Sequence, residues 1–182
     1  SDGGIFGRSK LGYQVKSNVL PLPAPNRIPS TPVVSPYVFV GDEAFPLLNN
    51  LMRPYPGIHL DDEKRIFNYR LSRARRTIEN TFGILVARFR ILLQTLYMQP
   101  EYANDCIKSC IVLHNYVRQH PRSESYYIPA GFVDYENPEN GEIIRGIWRA
   151  LVPADLRQVA KQSTNNYCAS SAHYRDTLKQ YF

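Results

Sequence analysis

A long amphipathic pattern between residues 63 and 90 constrains the fold of this chain more than any other feature. Apolar side chains recur there at spacings of three, four and seven, at Phe67, Leu71, Ala74, Ile78 and Leu85. This spacing places them on one face of an α-helix. Either Asp61 or Asp62 is suited to cap its first turn. The sequence therefore predicts a long helix with one buried stripe.

The same helix carries most of the excess positive charge. The chain has a formal net charge of +6, and residues 62–90 alone contain eight lysines and arginines against three acidic residues. Four of the arginines lie close together: Arg70, Arg73, Arg75 and Arg76. Such a helix suits DNA phosphates, which attract guanidinium groups without regard to base sequence. A solvated helix face, or arginines that neutralise nearby acidic residues, is the alternative.

The remaining patterns indicate a mixed α/β chain. Residues 5–16 fit a short helix, and residues 37–40, between Pro36 and Gly41, predict a short buried strand. Residues 100–117 predict a second amphipathic helix, with one face formed by Tyr102, Cys106, Cys110, Leu113 and Val117. A last short helix is predicted to pack back on the domain through Tyr174, Leu178, Tyr181 and Phe182.

An acidic segment follows the second helix. Residues 121–142 contain five acidic residues, one arginine and several prolines and glycines, a composition typical of an exposed loop. A chain of 182 residues has room for one ordinary domain. We therefore expect residues 1–182 to form a single domain that contains this loop.

Several features bear on the cellular setting. No apolar run approaches the roughly 18–20 residues that span a bilayer, so we expect no membrane association. The three cysteines are odd in number and form no CxxC pair, which favours free thiols in a reducing, intracellular compartment. The opening Ser1-Asp2-Gly3-Gly4 has no initiator methionine, and we expect it to be a cut within a longer protein.

A histidine and two cysteines on the second helix invite a zinc interpretation. Cys106, Cys110 and His114 are spaced by four residues each, which spreads them too far along one helix to bind a single zinc ion. A histidine on an apolar helix is more often a hydrogen-bonded core residue. We expect all three to face the core and assign His114 no catalytic role.

Two carboxylates are candidates for metal ligands. Asp42 directly follows the predicted strand, and Glu79 lies on the basic helix. Carboxylate oxygens are the ligands that Mg²⁺ prefers, and a pair of such ions can activate water against a phosphodiester. Alternatively, Asp42 only closes an Asx turn, and Glu79 only pairs with Arg75 or Arg76 on its own helix.

Four motifs decide between these alternatives. In order, they are Tyr-Val-Phe-Val-Gly-Asp-Glu-Ala-Phe-Pro-Leu at 37–47, Phe-Asn-Tyr-Arg-Leu-Ser-Arg-Ala-Arg-Arg at 67–76, Glu-Asn-Thr-Phe-Gly-Ile-Leu at 79–85 and Leu-His-Asn at 113–115. Through them the chain resembles the PIF/Harbinger transposases and their domesticated nuclease relatives. The resemblance extends over nearly the whole chain.

The resemblance implies an α/β, RNase H-like fold, a mixed sheet flanked by helices, of which this chain is an N-terminally truncated part. Asp42 matches the second metal ligand of the family, in its Gly-Asp motif, and Glu79 matches the third, in its Glu-Asn-x-Phe-Gly motif. The first aspartate belongs to a strand upstream of the Ser-Asp-Gly motif, so we expect it outside residues 1–182.

The implied activity is cleavage or strand transfer at DNA phosphodiester bonds with Mg²⁺ or Mn²⁺, with water as the nucleophile. It also implies nuclear localisation and a separate Myb-like DNA-binding partner. We expect residues 1–182 alone to be inactive without the first aspartate. The rival interpretation is an inactive domesticated or fragmentary copy that serves as a DNA-binding or protein-interaction module.

Overall fold

The fold consists mainly of helices, with short strands between them. The computed structural model describes residues 2–153 and 168–182. In these residues the helices are α1 (Asp2–Arg8), α2 (Lys10–Lys16), α3 (Asp62–Arg88), α4 (Pro100–Arg118), α5 (Pro121–Tyr127), α6 (Trp148–Leu151) and α7 (Ala169–Tyr181), with a 3-10 helix at Arg90–Leu93. The strands are β1 (Asn26–Arg27), β2 (Val34–Ser35), β3 (Phe39–Val40), β4 (Leu51–Met52), β5 (Tyr135–Glu136) and β6 (Ile143–Ile144).

The strands form three two-stranded sheets within the described ranges. β1 pairs with β2 and β5 with β6 in antiparallel fashion, whereas β3 and β4 are parallel, with Phe39 opposite Leu51. The mixture of helices and strands agrees with the predicted α/β class. The larger mixed sheet of an RNase H-like fold stays a prediction.

The chain divides into two compact units. Unit 1 comprises Ser1–Arg75 and Val159–Phe182, and unit 2 comprises Arg76–Gln158. The buried core of unit 1 consists of Leu47, Met52, Tyr55, Phe67 and Leu71. The core of unit 2 consists of Ile84, Phe132, Trp148 and Val152. Each unit thus has an apolar centre of its own, and the single domain expected over residues 1–182 stays a prediction.

The long helix predicted over residues 63–90 is confirmed as α3. Asp61 caps it, because its Oδ1 atom accepts a hydrogen bond from the Lys64 backbone N–H at 2.8 Å. Phe67, Leu71 and Leu85 of the predicted stripe are buried, whereas Ile78 is exposed. The apolar stripe is therefore buried near both ends of the helix and exposed near its middle.

The two later helices are also confirmed. α4 buries Cys110 and His114, as expected, with Cys106 half-buried, but Tyr102 and Leu113 are exposed rather than part of the core face. The face of α4 that packs inward is therefore narrower than the apolar pattern suggested. On α7, Tyr174 and Leu178 pack against the core of unit 1. No helix in residues 2–153 or 168–182 is long and apolar enough to cross a membrane.

The strand predicted at residues 37–40 differs from the prediction in its burial. β3 covers only Phe39 and Val40, which are 41% and 39% exposed. Its backbone pairs with β4, because Phe39 N–H donates to the Asn50 carbonyl at 2.9 Å and Gly41 N–H to that of Met52 at 2.8 Å. The buried side chains belong to β4 instead. The expected buried strand is therefore a half-exposed one beside a buried neighbour.

The acidic segment at 121–142 is more ordered than a loop. It contains α5 and β5, and its residue Asp134 is buried. The composition of the segment predicted an exposed loop, which is wrong for Asp134. Its charge is paired with a residue distant in the sequence, and local composition cannot reveal such a pair. Glu139 and Glu142 are exposed, as predicted for this segment.

Candidate functional site

Asp42 lies in a tight turn directly after β3. Its Oδ1 atom accepts a hydrogen bond from the backbone N–H of Ala44 at 2.9 Å, which is the geometry of an Asx turn. Its Oδ2 atom lies 3.8 Å from Nη2 of Arg75, and the carboxylate is 38% exposed. One oxygen therefore shapes the turn, while the other faces a cation at the surface of unit 1.

Helix α1 packs against this turn. A Cβ atom added to Gly3 would overlap the carbonyl of Ala44, so the two backbones approach more closely than any other residue would permit. Three residues on, the rings of Phe6 and Phe45 meet edge to face at 5.5 Å between centroids. Gly3 and Phe6 thereby fix the position of the turn that carries Asp42.

Glu79 belongs to unit 2, half-buried on α3, and its neighbour Asn80 is the anchor of a polar network. The Asn80 side chain exchanges two hydrogen bonds with the backbone of Asp134, each 2.9 Å long. Its Oδ1 atom also accepts a bond from Nε1 of Trp148 at 3.0 Å. These contacts tie the helix turn that carries Glu79 to the segment 134–148.

Asp134 and Arg149 form the charged centre of this network. Arg149 Nε lies 2.9 Å from both carboxylate oxygens of Asp134, and its Nη2 also donates to Oδ2. Burial opposes ionisation of Asp134, but hydrogen bonds from Arg149 and the Gly146 N–H outweigh it and hold its pKa below the usual range. The pair is therefore a bidentate ion pair between a buried carboxylate and a partly exposed guanidinium.

The charge of Glu79 also acts on Arg149. The hydrogen bond to Asp134 raises the pKa of Arg149 against the opposing effect of burial, and the negative charges of Asp134 and Glu79 add to the rise. Glu79 therefore lies close enough to Arg149 to interact with it. A second ion pair of unit 2, between Arg76 and Glu136 at 3.2 Å, places a further positive charge near Asp134.

Gly83 is the second anchor on α3. A Cβ atom added at this position would overlap the indole ring of Trp148. The glycine is therefore required by the close approach of the ring, and not by a backbone conformation that only glycine adopts. The Glu-Asn-x-Phe-Gly motif thus combines one candidate ligand with two residues that dock Trp148.

The four arginines proposed for DNA contact have different surroundings. Arg70 and Arg73 are exposed, and the guanidinium of Arg70 lies 5.1 Å from the ring centre of Phe182. Arg75 and Arg76 are half-buried and have the acidic partners described above, Asp42 and Glu136. Neutralisation of acidic residues therefore accounts for two of the four.

His114 occupies the core position that the sequence predicts. Its Nδ1 atom is 2.9 Å from the hydroxyl of Tyr127 on α5. Burial, with a contribution from the charge of Arg118, lowers the pKa of His114 below its usual range. The ring is therefore neutral at physiological pH, and its hydrogen bond joins α4 to α5.

The chain matches the model of one known protein family. Residues 1–115 match the family model described as DDE superfamily endonuclease. The chain belongs to this family. The matched range contains Asp42, Glu79 and all four arginines. No curated protein and no solved structure matches the chain significantly.

Sequence reasoning missed the network around Glu79. The motif alone does not reveal the contacts of Asn80 and Gly83, and the composition around Asp134 predicts an exposed loop. The sequence does show a glycine and an asparagine within the predicted helix and a single tryptophan at position 148. It does not show that these residues contact one another. Among residues 2–153 and 168–182, no three His, Cys, Asp or Glu side chains cluster as a metal site.

Proposed function

We propose that this chain is part of a Harbinger-type DNA nuclease in which Asp42 and Glu79 are ligands of a catalytic Mg²⁺ or Mn²⁺ ion. The observation that carries the proposal is the match of residues 1–115 to the DDE superfamily endonucleases, since this range contains both motif carboxylates. The reaction is hydrolysis or strand transfer at DNA phosphodiester bonds. An RNase H-like arrangement of the complete domain is part of the same proposal.

The donor chemistry of the two residues fits such an ion. Both offer hard carboxylate oxygens, and one oxygen of Asp42 lies at the surface of unit 1, 3.8 Å from its nearest arginine. When bound, the metal polarises the scissile phosphate and favours deprotonation of the attacking water. The part of the protein is to hold Asp42 in its Asx turn and to fix Glu79 through Asn80 and Gly83.

The arginines of α3 are proposed to hold the DNA backbone. Arg70 and Arg73 are exposed on the helix that also carries Glu79, so phosphates bound there would approach the candidate site. Arg75 and Arg76 contribute by limiting the negative charge around the carboxylates, through Asp42 and Glu136.

One observation favours a second candidate function, a DNA-binding or protein-interaction module without catalysis. Arg75 places a positive charge against Asp42, where an active nuclease would place its metal. In this alternative the ion pair is permanent and α3 is retained for its basic surface. The two functions differ in whether Asp42 is needed for cleavage or for binding alone.

The decisive experiment measures Mg²⁺-dependent nicking of plasmid DNA. It uses a protein extended upstream to include the aspartate-bearing strand expected from the resemblance. Asp42→Asn and Glu79→Gln should each abolish nicking while the protein stays folded, because each removes a ligand charge at nearly constant shape. Residues 1–182 alone should not nick DNA, since Mg²⁺ sheds its water reluctantly for two separate carboxylates. Nicking by either variant at the parental rate would exclude the metal assignment.

Arg73→Ala is the matched control in the same protein. It should retain metal dependence but weaken DNA binding about equally for all sequences, and flatten the slope of log affinity against log salt by about one unit. An unchanged slope would assign Arg73 to a solvated helix face. If the parent protein bound DNA but did not nick it in Mg²⁺, the non-catalytic module would be favoured.

The resemblance supports two further proposals about the cell. We infer a nuclear location and a Myb-like DNA-binding protein as partner, because the family that the chain resembles works in that combination. Imaging of a tagged protein tests the location, and co-purification with a Myb-like protein tests the partner. A cytoplasmic signal or the absence of such a protein from the purified complex would count against these proposals.

A further inference from the structure

A cavity between α4 and α5 lies outside the candidate active site. It has a volume of about 450 Å³ and is lined by Arg88, Val117, Arg122, Ser123, Tyr126 and Tyr127, all of which belong to unit 2. Two of the six lining residues are arginines and two are tyrosines. Aromatic rings beside cationic side chains are suited to a ligand that combines a flat ring with a negative charge.

Two of the lining residues, Arg88 and Tyr127, are held in place by several contacts. Arg88 donates from Nε to the carbonyl of Tyr127 at 2.8 Å, and its guanidinium lies 4.4 Å from the ring centre of Phe132. The hydroxyl of Tyr127 is 2.9 Å from His114. Arg88 and Tyr127 are therefore fixed before any ligand arrives, which reduces the entropy lost on binding.

The outer rim is exposed and basic. Tyr126 is 85% exposed, and Arg122, four residues earlier on α5, is also exposed. The neighbouring acidic residue, Glu124, lies 3.7 Å from Arg118, so its charge is balanced by an arginine. The rim therefore presents an accessible aromatic ring beside a guanidinium with little opposing negative charge.

We propose that this cavity binds one nucleotide of single-stranded DNA, with its base stacked on Tyr126 and its phosphate contacted by Arg122. Bases in a duplex are already stacked on one another, so they are not free to stack on Tyr126, whereas an unpaired base is. The inference rests on the proposed function only in taking DNA as the ligand. It adds a strand-binding site whose lining residues do not include Asp42, Glu79 or the four arginines at 70, 73, 75 and 76.

The test measures binding of a labelled oligothymidylate to the 182-residue chain by fluorescence anisotropy in EDTA. Tyr126→Ala should weaken binding roughly five- to 150-fold, because base stacking on an aromatic ring is lost. Tyr126→Phe should retain the affinity, since the phenyl ring still stacks. Arg122→Ala should reduce the slope of log affinity against log salt by about 0.7.

Tyr135→Ala and Arg145→Ala are the matched controls. Both residues are exposed in unit 2 and neither lines the cavity, so these variants should bind as the parent does. A duplex of the same length should be insensitive to Tyr126→Ala. Equal losses in Tyr126→Ala and Tyr135→Ala, or no binding of the oligonucleotide, would overturn the proposal. Because EDTA excludes metal-dependent cleavage, failure of the Asp42 and Glu79 assignment would leave this result unchanged.

Discussion

The two candidate carboxylates are held in different ways. Asp42 depends on its own turn, through a hydrogen bond to a residue two positions away, and on a half-exposed arginine. Glu79 lies beside a network in which a single hydrogen bond, between Trp148 and Asn80, joins residues 68 positions apart in the chain. Local contacts of the first kind are set by a short sequence, whereas the second kind forms only when unit 2 has folded.

The difference indicates a division of labour. The Asp42 side chain makes its hydrogen bond within its own turn, so it can be changed with little effect on the fold even though α1 packs against that turn. In a helix segment embedded in a buried network, a substitution does affect the fold, because each polar group removed leaves its hydrogen-bond partner unsatisfied. We therefore expect substitutions around Glu79 to affect stability, and substitution of Asp42 to affect function alone.

The largest effect is expected for Asp134→Asn. The carboxylate is 1% exposed and bidentate with Arg149, so removal of its charge leaves a guanidinium without its buried counter-ion and should cost about 3–5 kcal/mol. Urea unfolding monitored by circular dichroism measures this loss. A change below about 1 kcal/mol, in the range of a surface pair, would remove the contrast between the two regions.

The pH dependence of unfolding offers an independent view of the same pair. The pKa of Asp134 is lowered in the folded state. Its contribution to stability is therefore complete above the pKa of the carboxyl group in the unfolded chain, about 4. The contribution is lost as the pH falls through the lower pKa of the folded state. The parent should lose stability more steeply than Asp134→Asn in this acid range. Parallel curves would show that other groups dominate.

An intermediate effect is expected for Gly83→Ala. In an unhindered helix the change to alanine stabilises by up to about 1 kcal/mol. Here the added methyl group meets the ring of Trp148, and such overpacking should cost about 1–3 kcal/mol. Gly7→Ala on α1 is the matched control, because its nearest neighbour is the flexible end of Lys16 at 3.3 Å. If both variants were equally stable, the close approach at Gly83 would not constrain the fold.

The smallest effect on stability is expected for Asp42→Asn. The asparagine oxygen can still accept the hydrogen bond from Ala44, and the lost ion pair with Arg75 is half-exposed, worth at most about 1 kcal/mol. Differential scanning calorimetry should therefore find nearly the parental melting temperature. A loss comparable to that of Asp134→Asn would show that the turn is as embedded as the helix.

Much of the local structure could be predicted from the sequence. The spacing of Phe67, Leu71 and Leu85 and the aspartate before the helix identified α3 and its cap, because periodicity and capping depend on neighbours within a few residues. The half-exposed β3 could not be predicted in the same way. Its apolar composition suits a buried strand, and only the packing of β4 decides which of the two is covered.

In the candidate site, too, local features could be predicted from the sequence and long-range contacts could not. The resemblance identified Asp42 and Glu79 as residues, and the Asx turn at Asp42 is a local geometry that its sequence suggested. The pairing of Asp134 with Arg149 could not be predicted, because an acidic residue in a proline-containing segment is usually solvated. Only the fold brings a counter-ion and the amide of Asn80 to it.

The ring that Gly83 accommodates belongs to the only tryptophan in the chain. Trp148 is 5% exposed, with the guanidinium of Arg149 4.5 Å from its ring centre and its N–H bonded to Asn80. Its emission under selective excitation therefore arises entirely in unit 2, and unit 1 contributes no tryptophan signal. Trp148 is therefore an intrinsic fluorescent probe beside the helix turn that bears Glu79. Its emission wavelength reports whether the ring stays buried against that turn.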